Sequence, residues 1–534
     1  MRKIYFFIFS FLVIFTSASA AGYYFYVQLT DKNNSPYSIS NPETFLSQRA
    51  IERREFYKIQ IDSTDLPVNP NYISELADKG VFIHSTTKWL NGVTVLMKDS
   101  TIISSVRSLP FVKFAQFTGI TNEHPASHAP PKKINHTDFN YGVAETQINL
   151  MNGKVLHQNG YLGKNIHIAV IDAGFGGVNS IPAFELMRNE NRLIGTKDIV
   201  NPNSDIFSEH GHGTAVLSAM AAEINGTFVG TAPKASYLLI RTEAVIGEYP
   251  CEPDFWISGI EYADSMGVDI ATTSLGYTVF DDSSMNYTYS QMDGNTIRAS
   301  IAATMAYEKG ILLFNSAGND GTKPWKYIGV PADAEGVITV GAVTKDSVPS
   351  SFSSFGPTSD NRIKPELAAM GTHSAIINAS GATASSNGTS FSTPILAGIT
   401  ACFLQAAKTI YPTHTLDELK DYIFKSAHLY SNPSTRLGYG IPDFSIAYDS
   451  LIKSDLAKLS VENNKMTHKL LINKNSSITL KIPESYQNIL KKANLYSISG
   501  QLCGNLEIVN RTITIPSGDF QTGIYILKFE KSDQ

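Results

Sequence analysis

The chain has 534 residues, 43% of them hydrophobic, and a formal net charge of -5. At roughly 100–200 residues per domain it holds more than one domain and can bury a large core. With no long basic run it gives no reason to expect nucleic acid as a partner. Met1-Arg2-Lys3 precedes an apolar run from Ile4 to Phe15, and Ala18-Ser19-Ala20 follows as a signal-peptidase site. The run is too short to cross a bilayer comfortably, so residues 1–20 read as a secretory signal cleaved after Ala20. No later stretch reads as a membrane helix, and the mature chain is expected to be soluble, exported and without a membrane span.

Residues 21–117 mix strand-like segments (Tyr24–Leu29, Val93–Met97, Val112–Phe117) with helices around Phe45–Tyr57 and Tyr72–Lys79, the pattern of a small α+β domain. Between residues 118 and 140 the composition shifts to Pro, His, Asn and Lys, with little to bury, which marks a linker open to cleavage. From 141 to 452 strands alternate with helices. Ile166–Ile171, Tyr237–Arg241, Val268–Thr273, Ile311–Phe314 and Val337–Val343 read as strands, and Gly213–Ala222, Trp256–Met266 and Ile297–Glu308 as helices. The fold class is therefore α/β, a parallel sheet sandwiched by helices, with ligands expected at the carboxyl ends of the strands. Beyond about Ser450 the helices stop. Five short runs with turn residues between them make residues 453–534 a small β-sandwich.

Three distant residues have the makings of a charge relay. Asp172 follows the buried strand Ile166–Ile171, His212 opens a helix in His210-Gly211-His212-Gly213-Thr214, and Ser390 sits in Asn387-Gly388-Thr389-Ser390-Phe391-Ser392-Thr393-Pro394. In the last of these, Ile395, Leu396, Ile399, Cys402, Phe403 and Ala406 share one helix face. Pro394 then belongs in the first turn, where its missing N–H is not needed, and Ser390 lies among unpaired donors at the positive end of the helix. A serine hydroxyl needs an imidazole to take its proton, and the imidazole needs a carboxylate to fix its tautomer. Donors must also face the oxygen that gains charge, worth roughly 3–4 kcal/mol per side-chain donor. Asn319, in the Gly-rich loop after Ile311–Phe314, can be such a donor. Cys251, Cys402 and Cys503 are too far apart for a disulfide framework or a metal-ligand spacing, and none sits in a Gly-rich turn before a helix.

These blocks resemble the subtilisin-type serine proteases, the subtilases. Ala169-Val170-Ile171-Asp172-Ala173-Gly174, His212-Gly213-Thr214, Ser274-Leu275-Gly276, Ala317-Gly318-Asn319 and Gly388-Thr389-Ser390-Phe391-Ser392-Thr393-Pro394 are similar to that family's signature blocks, in its order. The resemblance implies Asp172, His212 and Ser390 as the catalytic triad and Asn319, beside the Ser390 N–H, as the oxyanion-hole side chain. It implies Ser274, Leu275, Gly276, Ala317 and Gly318 as backbone walls that pair with an extended peptide. No cofactor is required. Structural calcium, common in the family, is left open, because no Asp/Glu cluster maps onto a calcium loop. Ala173 departs from the usual Ser or Thr, and Ala215-Val216-Leu217-Ser218 from the usual His-Val-Ala-Gly.

The flanking segments carry resemblances of their own. Phe45-Leu46-Ser47-Gln48-Arg49-Ala50-Ile51-Glu52-Arg53-Arg54 and Trp89-Leu90-Asn91-Gly92-Val93 look like the prodomain of one bacterial group of these enzymes, which implies a secreted serine endopeptidase inhibited by its own prodomain until cut. Leu495-Tyr496-Ser497-Ile498-Ser499-Gly500-Gln501-Leu502 and Gly523-Ile524-Tyr525-Ile526-Leu527-Lys528-Phe529 resemble the sorting domain read by the type IX secretion machinery, which implies export through the periplasm to the surface or medium. Three alternatives use the same residues. His210 and His212 with Asp205 or Glu209 imitate a metal site of a metal-dependent hydrolase. An intact cleft that holds peptides without cutting them would be a pseudoenzyme. The last segment would equally suit a carbohydrate- or protein-binding sandwich.

Overall fold

The computed structural model describes residues 22–121, 139–244, 247–459, 467–472, 477–481, 490–497, 501–510, 512–516 and 518–531. The expected signal peptide and residues 122–138 of the expected linker lie outside the described residues. The first unit is a four-stranded antiparallel sheet of β1 (Gly22–Leu29), β2 (Phe82–Thr87), β3 (Gly92–Met97) and β4 (Val112–Thr121), in the order β2-β3-β1-β4. Two of its helices are α1 (Gln48–Tyr57), capped by the Ser47 hydroxyl on the Ala50 N–H, and α2 (Pro70–Ala77), which starts on Asn69 with Pro70 in the first turn. β4 runs four residues into the expected linker, because Gly22 and Tyr23 of β1 pair with Thr121 and Ile120.

The central sheet has seven parallel strands: β5 (His167–Asp172), β6 (Leu193–Asp198), β7 (Ser236–Arg241), β8 (Ile270–Thr273), β9 (Leu312–Ser316), β10 (Ile338–Val343) and β11 (Leu367–Met370). Their spatial order is β11-β10-β9-β8-β5-β7-β6. Successive side chains of a strand point to opposite faces, and both faces are covered. Ile168, Val170 and Leu239 join one core with α3 (His212–Ala221) and α6 (Thr389–Ile410). Ala169, Ile171, Leu238 and Ile240 join a second core with α4 (Cys251–Ser265) and α5 (Arg298–Glu308). Tyr24 and Trp89 of the first unit belong to that second core, so the amino-terminal unit is seated on the α4 and α5 side.

The 22-residue helix α6 runs through the centre of the parallel-sheet unit. All six residues of its expected apolar face are fully buried, each large aliphatic or aromatic one worth roughly 1.5–3 kcal/mol of burial. By length and composition α6 is apolar enough to cross a membrane, contrary to the sequence reading, but 94% of the qualifying window is buried inside the protein. The carboxyl-terminal helices α7 (Leu416–Ser426) and α8 (Phe444–Leu459) close the unit; Ala447, Tyr448 and Leu451 seat α8 in the core, and the helix continues past the expected boundary at 452. Beyond it the described strands form antiparallel sheets. Leu470, Ile472, Ala493, Leu495, Ile513, Ile515 and Leu527 share a core between them.

Candidate active site

β9, β8 and β5 are neighbours, so the segments that leave their carboxyl ends meet along one rim. Asp172 is the last residue of β5 rather than the first after it, and is buried. Its Oδ1 accepts the Ala173 N–H at 2.8 Å and faces His212 Nδ1 at 2.7 Å. His212 is the first residue of α3. Gly213 lets that helix approach, since a Cβ there would lie 2.5 Å from the Gly174 carbonyl and 3.0 Å from Asp172 Cβ. The Asp172 carboxylate raises the His212 pKa above its ordinary value, burial opposes it, and Glu243 adds to the rise.

Ser390 is the second residue of α6, where helical N–H groups have no intrahelical acceptor. The Phe391 ring lies 6.1 Å from the His212 ring and packs with Ala215 and Ile376, which ties the start of α6 to α3. The Ser390 hydroxyl donates to the Ser274 carbonyl at 3.4 Å. Pro394 is not in the first turn. α6 begins at Thr389, which puts Pro394 in the second turn, four residues after Ser390. Proline has no N–H to give the Ser390 carbonyl, and the Ser274 hydroxyl donates to that carbonyl instead, at 2.8 Å. The deleted helix bond is thus replaced from the neighbouring strand end.

Asn319 is exposed, and its side-chain oxygen accepts from the Thr389 N–H (3.0 Å) and the Thr389 hydroxyl (3.1 Å). Only the oxygen of an amide can accept both, so the NH₂ end is the one left to donate. The same hydroxyl accepts the Gly318 N–H at 3.2 Å. The Ser274-Leu275-Gly276 segment is fixed through the Leu275 carbonyl, which accepts from Asn315 Nδ2 (3.0 Å) and the Ser316 hydroxyl (3.3 Å). Ala317 is buried against Ile328 and Ala332, and Gly318 has φ +98°, where a Cβ would stand 2.9 Å from Ser354 Oγ.

Sequence reasoning missed Thr389, Asn315 and the Ser274 hydroxyl. Only the last had a signal, the proline four residues after Ser390. His210 is exposed, its Nδ1 accepts the His212 N–H at 3.2 Å, and Asp205 and Glu209 are taken by the Phe207 N–H and by Arg241. Among the described residues no three His, Cys, Asp or Glu side chains gather as a metal site. Burial pushes the Cys251 and Cys402 thiols well above their ordinary value, the reverse of what a thiolate nucleophile needs.

The fold is that of a subtilisin-like serine peptidase, a hydrolase. The chain belongs to the subtilase family, which residues 163–440 match, and residues 24–133 match the peptidase S8 propeptide domain of Bacteroidota. It is similar to Subtilisin NAT of Bacillus subtilis subsp. natto, 27% identical over 361 residues, 67% of this chain and 81% of that protein. Subtilisin DY of Bacillus licheniformis is 29% identical over 284 residues, 52% of this chain and 90% of that one. Among solved structures, the epidermin leader peptide processing serine protease of Staphylococcus aureus shares the fold, with a TM-score of 0.53 at 18% identity over 80% of this chain and 98% of that one.

Proposed function

We infer that the chain is a secreted serine endopeptidase in which Asp172, His212 and Ser390 form the triad. The observation that carries the reading is the 2.7 Å contact between Asp172 and His212 Nδ1, because it leaves the other imidazole nitrogen for Ser390. His212 takes the Ser390 proton and Oγ attacks the peptide carbonyl. Asn319 Nδ2 and the Ser390 N–H hold the oxyanion, His212 returns the proton to the leaving amine, and water hydrolyses the acyl-enzyme. Ser274, Leu275, Gly276, Ala317 and Gly318 line the peptide's path. A fluorophosphonate should label Ser390 alone, and Ser390→Ala should abolish both labelling and peptide cleavage with an unchanged circular-dichroism spectrum. Labelling elsewhere in the chain would refute the assignment.

The same reading divides the chain into a signal (1–20), a propeptide (21–117, with its last strand reaching Thr121), a linker to residue 140, a peptidase domain and a carboxyl-terminal β-sandwich. The sandwich, by its Leu495–Leu502 and Gly523–Phe529 blocks, is a sorting domain that takes the protein across the outer membrane through the type IX machinery. Undiminished export after deletion of residues 460–534 would remove that role.

A further inference from the structure

Several buried carboxylates elsewhere in the chain are paired with cations. Asp254 pairs with Arg298, and Asp269 with Arg49 and Lys408. The segment between β7 and α4 is different. The charged groups that reach Glu243, Glu248 and Glu252 most strongly are one another, Asp172 and Asp281. Arg241, which precedes them, is committed to Asp198 and Glu209.

Glu243 is held against the catalytic rim from two sides. The Thr242 N–H bonds the Asp172 carbonyl at 3.1 Å, which anchors the segment beside the triad carboxylate. Glu243 Oε1 accepts from the Thr242 hydroxyl (2.8 Å) and from the Tyr277 hydroxyl (2.7 Å), and Tyr277 directly follows the Ser274–Gly276 wall. The carboxyl group therefore spans from the end of β5 to that wall, close enough to His212 to bear on its titration. Among the described residues its Oε2 has no hydrogen-bond partner. Beside it, Glu252 is 2% exposed, with Oε1 on the Ala244 N–H at 2.8 Å and a buried Oε2 that has no hydrogen-bond partner among the described residues.

Side chains of an extended peptide alternate. On the peptidase reading, the residue whose carbonyl Ser390 attacks would turn its side chain between the Ser274–Gly276 and Ala317–Gly318 walls, and the residue before it would turn the opposite way, to the side on which His212 and Glu243 lie. We propose that Glu243 is a specificity-determining residue whose free carboxylate oxygen receives a Lys or Arg side chain at the second position before the cut. This rests on the peptidase reading above. Burial pushes Glu243 and Glu248 up to about 7 and Glu252 up to about 10, the mark of carboxyls gathered without a counter-charge, and a substrate cation supplies it. The chain's own linker carries such residues in Lys132-Lys133, where the propeptide match ends.

The test uses the processed enzyme and two quenched peptides that differ only at that position, Lys against norleucine. The wild type should favour Lys by about tenfold or more in kcat/KM, and Glu243→Gln, which keeps an acceptor for Tyr277, should bring the ratio to near one. Glu243→Asp should keep part of the preference. A wild-type ratio below about threefold, or a ratio that survives in Glu243→Gln, overturns the proposal. A wild type that cuts neither peptide overturns it too, and fluorophosphonate labelling then tells whether the peptidase reading falls with it.

Discussion

The propeptide should be held to the peptidase chiefly through Asp264, and Asp264→Asn should loosen it by orders of magnitude. Asp264 is fully buried near the end of α4, where Lys88 Nζ lies 3.0 Å away and Arg54 Nη2 2.9 Å away, and the Arg53 guanidinium also contacts it. All three cations come from the propeptide. Burial alone would raise the Asp264 pKa, but Lys88, Arg54 and Arg53 together hold it well below the carboxylate range, so the charge persists throughout neutral and mildly acid pH. Removing one member of a buried ion cluster costs about 3–5 kcal/mol, because its partners stay buried and unpaired. That converts to roughly two to three and a half orders of magnitude in the dissociation constant. The assay is dissociation of the nicked complex, cut in the linker, measured by gel filtration after dilution and by the recovery of peptidase activity. Lys88→Met, made in the propeptide, gives the same readout without touching the peptidase, and the double variant measures the coupling. An Asp264→Asn complex that holds together as tightly as the wild type, within about threefold, would refute the reasoning.

Three more outcomes follow from the rim. Asp172→Asn should lower kcat about ten-thousandfold. His212 must be neutral to accept a proton and Asp172 raises its pKa, so activity falls as pH drops through that raised value; without the carboxylate burial dominates and the acid limb of kcat/KM should move to lower pH, and an unmoved limb would contradict the pairing. Asn319→Ala should lower kcat about a hundredfold to a thousandfold with little change in KM, and Thr389→Val, which removes one of the two donors that orient the Asn319 amide, should cost less; equal or absent losses would count against that orientation. Ser274→Ala should destabilise the peptidase by about 1–3 kcal/mol, read as a lower Tm, by stranding the Ser390 carbonyl opposite Pro394. Adding Pro394→Ala should restore part of that loss, since alanine brings back the N–H.

The residues of the rim were legible because each occupies a place where chemistry and chain geometry coincide. Asp172 closes an apolar run, His212 opens a helix after glycine, and Ser390 precedes an apolar stripe. α6 starts ahead of its apolar stripe, which begins at Ile395, because Thr389 to Pro394 are helical and buried by contact with the strand ends, a tertiary effect that outweighs local preference. For the same reason α4 begins at Cys251 rather than Trp256, with Pro253 tolerated in its first turn. The parallel strands Leu193–Asp198 and Leu367–Met370 left too short an apolar run to stand out. Thr389 as the anchor of Asn319 joins positions 70 residues apart, and no local pattern encodes that bond.

α4 links the two ends of the molecule's working history. Its last turn carries Asp264, with Glu261 just before and no basic residue, although a helix carboxyl end favours cations. The propeptide supplies what the helix lacks: Arg53, Arg54 and Lys88 on Asp264, and the Thr87 hydroxyl with the Lys88 and Trp89 N–H groups on Glu261. The other end of α4 begins at Cys251, directly after the carboxyl-rich segment beside His212. A parallel sheet gains its contacts only after long loops close, so a partner that pins α4 early lowers the cost of bringing β7 and β5 together. Once the propeptide leaves, Asp264 and Glu261 can be rehydrated at the surface, and the folded sheet no longer depends on those bonds. What ties the propeptide to the peptidase is then a helix whose charges are satisfied from outside its own domain.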